Sequence, residues 1–220
     1  PPRHHGMNAP ISVLIPCYNE AAYLPRLVAT VRAQTRPFAE ILCYDDGSAD
    51  DTVSVARSLG LAIVSGHSNR GAATARNELA RRATSPWLHF QDADDPLHPE
   101  FMARLAPLCS NDFDVVSCNS DWVDAANGRV HVAWRYDAER LERSPAAELL
   151  LNPMSFHVSL IRSALWQQVG GCDPTLSMWE DADLHFRLAL AGGRFRHMPE
   201  VLAVSLRRSD SFSHDYRKNG

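Results

Sequence analysis

The sequence predicts an α/β fold: a mostly parallel sheet flanked by helices, with a mixed second half. Three observations carry that prediction. Short apolar runs rich in β-branched residues alternate with helical periodicity from Ile11 to Phe90. A strand–helix order repeated in this way implies right-handed crossovers and hence parallel strands. Polar clusters follow three of the strands, at the carboxyl ends where such sheets hold ligands.

Ile11 to Ile15 (ISVLI) has the composition of a buried strand, stopped by Pro16. Leu24, Leu27, Val28 and Val31 then recur at helical spacing, with Pro25 in the first turn, where its missing N–H costs little. Glu40 to Tyr44 is a second strand, running into Asp45-Asp46-Gly47-Ser48. Asp50 or Asp51 can cap the helix that carries Val53, Val55, Ala56 and Leu59. Leu61 to Val64 is a third strand, and Ala72 to Arg82 an alanine-rich helix. Trp87 to Phe90 is a fourth strand, ending at Gln91-Asp92-Ala93-Asp94-Asp95-Pro96.

The second half is less regular. Asp114 to Cys118 is expected as a strand, and Asn127-Gly128 between Trp122 and Val132 signals a hairpin. Helices are expected over 139–151, 163–169 and 179–191, the last closed by Gly192-Gly193. The segment from Arg207 to Gly220 reads as a polar tail. Pro1 to Gly6 reads as a cloning remnant or an irregular tail, with Met7 as the native start. There is no internal repeat and no low-complexity linker, so 7–220 is expected as one domain.

Composition narrows the function classes. The 220 residues are 45% hydrophobic and 22% charged, as in an ordinary globular protein. The net charge of −4 argues against a nucleic-acid partner. Lys218 is the only lysine, so cationic chemistry falls to arginine. No apolar run approaches the roughly 18–20 residues of a membrane span. The five cysteines form no CxxC pair, which argues against a zinc ribbon or a disulfide framework. Reduced, buried thiols and a cytoplasmic location are the expectation.

Four clusters could carry chemistry. Asp92-Ala93-Asp94 at a strand end can present oxygens to a divalent cation that bridges a diphosphate, although the triplet alone is also ordinary turn chemistry. Asp45 to Ser48 can hold a ribose hydroxyl or a base N–H, or can serve as a strand-to-helix turn with caps. Asn69-Arg70-Gly71 and Arg76-Asn77 flank a helix start, where backbone N–H groups and an arginine fork suit phosphate; the bland reading is solvated arginine. Glu180-Asp181 opens a helix, where the dipole alone favours carboxylates. Asp181 shares a helical face with Leu184, His185 and Leu188, which places it at the edge of something buried. A general base is the functional reading. Trp179 abuts this pair and could stack on a sugar ring.

Taken together, the segments resemble glycosyltransferase family 2. Ser12 to Glu20 (SVLIPCYNE), Asp45 to Thr52, Asn69 to Asn77, Phe90 to Asp95, Gly170 to Asp173 and Trp179 to Leu184 match the family's motifs in order. The resemblance implies a GT-A type, Rossmann-like fold, with a nucleotide-sugar half over about 10–97 and an acceptor half over about 98–213. It implies an inverting transferase that moves a sugar from a nucleotide-diphosphate donor to a carbohydrate or lipid-linked acceptor. Surface polysaccharide, lipopolysaccharide or glycolipid synthesis and peripheral membrane association come with it. By resemblance, Pro16, Tyr18, Glu20, Asp45, Arg76 and Asp92 line the donor site. Asp94, with Asp92, holds Mn²⁺ or Mg²⁺, Asp181 is the catalytic base, and Trp179 and Glu180 lie on the acceptor side. One segment departs: where relatives carry Tyr-Arg-x-His, this chain has Leu206-Arg207-Arg208-Ser209. Arg207, Arg208 or His214 would then serve the pyrophosphate, or the chain lacks a C-terminal extension. The alternatives are a catalytically silent nucleotide-sugar or glycan-binding domain and, ranked lower, a nucleotidyltransferase.

Overall fold

A computed structural model describes residues 9–207. In chain order the elements are β1 Ile11–Cys17, α1 Leu24–Arg32, β2 Glu40–Asp45, α2 Thr52–Ser58, β3 Ala62–Ser65, α3 Ala72–Arg82, β4 Trp87–Phe90 and α4 Phe101–Leu105. They continue with β5 Val115–Asp124, β6 Val130–Trp134, α5 Ala138–Arg143, α6 Pro145–Leu151, β7 Ser159–Arg162, α7 Ser163–Gln168, α8 Glu180–Leu190 and β8 Phe195–Arg207. The strands form one eight-stranded sheet in the order β3-β2-β1-β4-β7-β5-β6, with β8 on β5.

The first four strands are mutually parallel, as the repeated strand–helix order predicts. Beyond β4 the sheet is mixed. β7 runs antiparallel to β4 and β5, β6 antiparallel to β5, and β8 parallel to β5. The parallel half therefore ends in one row of strand tips, and the mixed half folds α8 back towards that row.

Several elements differ from the sequence expectation. β1 passes through Pro16 to Cys17. Leu14 O still accepts from Gln91 N on the β4 side, whereas Cys17 O accepts from Asp46 N on the β2 side. Pro16 faces the β4 side beyond the last β1–β4 pair, so no ladder bond needs its N–H. The helix expected over 139–151 is two helices, because Pro145 drives Ser144 out of helical geometry to φ −146°, ψ 63°. β7 escaped notice because its four residues run straight into α7. β8 was hidden by Pro199 and Glu200. The register jumps from Cys118↔Met198 to Asn119↔Val201, which expels both residues, and shifts once more before Ser120↔Ala203, after which the ladder is regular.

The hairpin at Asn127-Gly128 forms as predicted, with Gly128 at φ 72° and its N–H on Asp124 O. The inward face of α8 is also as read: Leu184, His185 and Leu188 are fully buried. All five cysteines are free and buried. No helix among the described residues is long and apolar enough to cross a membrane.

The core is continuous across both halves. Phe90 at the tip of β4 lies 4.6 Å from the Trp166 ring and 5.1 Å from Phe156, so elements of the first and second halves of the chain share one aromatic cluster. Phe90→Ala should cost about 3–5 kcal/mol. Urea denaturation followed by tryptophan fluorescence would show it as a single transition moved to lower midpoint.

Candidate active crevice

The tips of β1, β2 and β4 place the acidic clusters side by side. Cys17 is in register with Asp45 and Leu14 with Phe90, so the residues that follow each strand emerge together. The loop after β1 is pinned to the loop after β2: Asn19 N–H donates to Ser48 Oγ (2.9 Å), Ala49 N–H to Asn19 Oδ1 (2.8 Å) and Glu20 N–H to Thr52 Oγ1 (2.8 Å). Asn19 adopts the left-handed conformation, φ 57°, that its short polar side chain tolerates. Tyr18 is left 45% exposed on this rim.

Asp45 is buried, and its Oδ1 accepts from Ser48 N–H at 3.2 Å. Gly47 has φ 78°, and a Cβ there would stand 2.8 Å from the Ser68 backbone, so only glycine fits. Asp46 reaches the start of α3, where its Oδ2 accepts from Arg70 N–H (2.8 Å) and Gly71 N–H (2.7 Å). Burial raises the Asp46 pKa, against those two donors. Two backbone donors just ahead of α3, those of Arg70 and Gly71, are therefore engaged by Asp46. The Arg70 guanidinium turns instead to Tyr44 Oη (3.3 Å) and Glu78.

At the tip of β4 alternation separates three neighbouring carboxylates. Asp92 and Asp94 remain partly open, while Asp95 is buried at 7% exposure. Asp95 clamps β8: its Oδ2 accepts from Ser205 Oγ (2.8 Å) and its Oδ1 from Leu206 N–H (2.7 Å). Burial, then the charge of Asp94, holds its pKa well above the carboxylate range.

Arg76 is the junction of the site. Its Nη2 donates to Asp92 Oδ1 at 2.7 Å and its Nη1 to Glu180 Oε1 at 2.5 Å. The guanidinium lies 4.6 Å over the Phe156 ring and is itself only 5% exposed. Burial opposes the charge, yet Asp92 and Glu180 outweigh it and raise the pKa. The neighbouring Asn77 secures the Gly170-Gly171-Cys172 loop, donating to Cys172 O (2.8 Å) and accepting from its N–H (2.9 Å).

These contacts bring α8 over the strand tips. Trp179, 56% exposed, precedes it at φ 64°, an unusual conformation for a bulky residue. Asp181 follows at the crevice edge. Burial first, and the charge of Glu180 second, push its pKa from the ordinary 3.8 up to about 6, against the pull of Arg76. His185 anchors this turn from below: Nδ1–H donates to Asp181 O (2.7 Å), and Nε2 accepts from Ser159 Oγ (2.9 Å). Burial holds the His185 pKa near 4, so it is neutral at physiological pH.

The predicted residues thus form two adjoining groups. Pro16, Tyr18, Glu20 and Asp45 line the β1–β2 side; Asp92, Asp94, Arg76, Trp179, Glu180 and Asp181 lie about the β4–α8 junction. Arg76, expected as a donor contact, is engaged in a buried bridge. Arg208, Ser209, His214, Met7 and the first six residues lie outside the described residues. Sequence reasoning missed Phe156, Ser159 and the clamping role of Asp95. Only the last left a signal, three carboxylates at the end of a strand with room for two outside.

A mixed α/β sheet with an acidic crevice at its parallel strand tips, closed by a carboxylate-bearing helix, defines a GT-A type glycosyltransferase fold. Solved structures agree. Staphylococcus aureus TarS 1–349 superposes with a TM-score of 0.74 at 22% identity, over 90% of this chain and 60% of that one. The Pyrobaculum calidifontis mannosyltransferase PcManGT, solved with GDP-Man and Mn²⁺, gives 0.71 at 21% identity, over 94% and 59%. The "Glycosyl transferase family 2" model matches residues 12–176, and the chain belongs to that family. Among relatives, the succinoglycan biosynthesis protein ExoU of Rhizobium meliloti is 30% identical over 94% of this chain. The chain spans 65% of that relative's length.

Removing the Arg76 fork should be costly, since it joins two elements through Asp92 and the part-buried Glu180. Arg76→Met is expected to lose about 3–5 kcal/mol. Arg76→Lys should rescue this only in part, because one ammonium cannot fork between two carboxylates. Urea midpoints of the two variants would test this.

Asp181 gives an independent readout. Folding raises its pKa, so the folded chain holds the proton more tightly than the unfolded one. The stability this group allows is complete below its unfolded pKa and falls as pH climbs through about 6. Asp181→Asn should therefore be more stable than the parent at pH 7.5, by on the order of 1 kcal/mol, with the gap closing towards pH 4. Thermal melts across that range would measure it.

Proposed function

We propose that this chain carries the donor-binding and catalytic machinery of an inverting glycosyltransferase. The observation that carries the reading is the placement of Asp181, a carboxylate with pKa near 6, beside the Asp92–Asp94 turn. A base whose pKa lies just below neutral pH is ionised in use, yet basic enough to take a proton from an acceptor hydroxyl. That proton passes to an Asp181 oxygen as the hydroxyl oxygen attacks the anomeric carbon from the face opposite the nucleotide.

Each part of the crevice has a task in this scheme. Asp45, with Pro16, Tyr18 and Glu20, holds the nucleoside end of the donor. Arg76 sets the positions of Asp92 and Glu180. Trp179 presents an aromatic face towards the acceptor.

Asp92 and Asp94 fit a hard divalent cation, Mn²⁺ or Mg²⁺. Asp92 has a side chain 41% exposed and engages Arg76 through Oδ1. Asp94 is partly open two positions on, whereas Asp95 is turned away. No cluster of three His, Cys, Asp or Glu side chains surrounds them among the described residues, so donor phosphates and water would complete the shell. When bound, the cation would neutralise charge on the departing diphosphate.

The donor is a nucleotide-diphosphate sugar: TarS has been solved with UDP-GlcNAc and PcManGT with GDP-Man. The acceptor is a carbohydrate or a lipid-linked glycan in surface polysaccharide, lipopolysaccharide or glycolipid synthesis, an assignment supported by the similarity to ExoU. A cytoplasmic location, at the inner face of the membrane, suits such an acceptor.

A panel of nucleotide sugars with and without Mn²⁺, read by thermal shift and then by transfer assay, names the donor. With that donor, Asp181→Asn should lower kcat by about 10²–10⁴-fold. Donor affinity should stay within about twofold, because the side chain opposes the acceptor rather than the nucleotide. The parent's kcat should rise as pH climbs through about 6, and the variant's residual rate should be flat. Undiminished transfer by the variant would remove Asp181 from the role of base.

A further inference from the structure

A second concave site lies outside the crevice, on the flank of the sheet. It is a cavity of about 410 Å³ between edge strand β3 and α3. Arg70, Arg81, Arg82 and His67 line it, with Tyr44 and a single carboxylate, Glu78. Glu78 serves all three arginines: Arg81 Nη2 donates to its Oε2 at 2.6 Å, Arg82 Nη1 donates to the same oxygen, and Arg70 Nη2 stands 3.6 Å from Oε1. The hydrogen bonds from Arg82 and Arg81 hold the Glu78 pKa down to about 2, so it is fully ionised at working pH.

Three guanidinium groups around one carboxylate leave two positive charges in a concave space, on a chain whose net charge is −4. The forks are not saturated, since Arg70 and Arg81 keep side chains 52% and 65% exposed. Tyr44 Oη is fixed by Arg70 Nη2 at 3.3 Å, and the Arg82 guanidinium lies 5.7 Å over the Tyr44 ring. Arg70 is the arginine that the sequence suggested for phosphate at the start of α3. Asp46 accepts from the Arg70 and Gly71 N–H groups there, and the Arg70 side chain lines this flank instead.

We infer that this cavity is a binding site for a phosphate group, separate from the donor crevice. A dianionic phosphate matches the two surplus charges, and guanidinium forks suit its tetrahedral oxygens better than a second carboxylate. Two sources share that chemistry: a small soluble phosphate, or the headgroup of an acidic phospholipid.

The experiment uses the whole chain in two arms. Calorimetry with inorganic phosphate probes the soluble source. Co-sedimentation with phosphatidylcholine vesicles, with and without phosphatidic acid, probes the lipid source. Three proteins are compared: the parent, the double variant Arg81→Gln/Arg82→Gln, and Glu78→Gln. Circular dichroism melts confirm that each is folded. The double variant should lose about tenfold or more in affinity. Glu78→Gln should bind several-fold tighter, because a competing carboxylate is gone, whereas a merely structural Glu78 would predict no gain. That pattern in either arm supports the site, and the arm in which it appears names the source. Absence of binding in both arms, or binding that these variants leave unchanged, overturns it.

Discussion

The buried guanidinium of Arg76 is the constraint on which the rest of the site depends. It sits on α3, in the parallel half, and reaches both the β4 tip through Asp92 and the first turn of α8 through Glu180. Beneath it, Phe156 belongs to the same aromatic cluster as Phe90 and Trp166. A buried charge with two anionic partners tolerates little displacement of any of them, since each lost contact would leave a charge in a low-dielectric setting. The bridge therefore holds the two halves of the crevice at one separation.

Around that bridge, polar side chains are held by one another and by backbone groups. Asp181 stands on a turn whose carbonyl is bonded to His185, and His185 is bonded to Ser159 on β7. The Ser159 carbonyl meets His89 Nδ1 at 2.9 Å, and Gln91 reaches Asp95 O at 3.0 Å. Asp95 in turn holds the end of β8. Burial keeps His89, His157 and His185 neutral near pH 7 by lowering each pKa to about 4. The strand tips that carry the acidic residues are thus braced from the interior side, while Asp92, Asp94, Glu180 and Asp181 at the junction stay partly open.

The same first turn of α8 illustrates how position, not residue type, sorts carboxylates. Glu180 and Asp181 are adjacent, yet one is bonded to Arg76 while the other has its pKa raised by burial and by its neighbour. At the β4 tip Asp95 turns inward to β8 while Asp92 and Asp94 remain partly open. In both places neighbouring acids diverge because successive side chains face different surroundings.

Much of this was legible in the chain itself. The parallel half follows from alternating period-2 and period-3.6 patterns, which are local properties of the residues. The inward face of α8 followed from Leu184, His185 and Leu188 at helical spacing, and the acidic strand ends from simple adjacency. What local pattern could not show was long-range. Pro199-Glu200 masks a strand that only pairing with β5 makes visible, and Pro145 divides a stretch whose periodicity is continuous. No spacing rule links Arg76 to Glu180, or says that Asp46 would accept from the Arg70 and Gly71 N–H groups while the Arg70 side chain turns to Tyr44 and Glu78. Local pattern carried the strands and helices of the parallel half and the acids at their tips, because both are properties of neighbouring residues. Only folding could settle which acid is buried, which is bridged to Arg76 and which stays partly open, because burial and charge pairing depend on what distant segments place alongside.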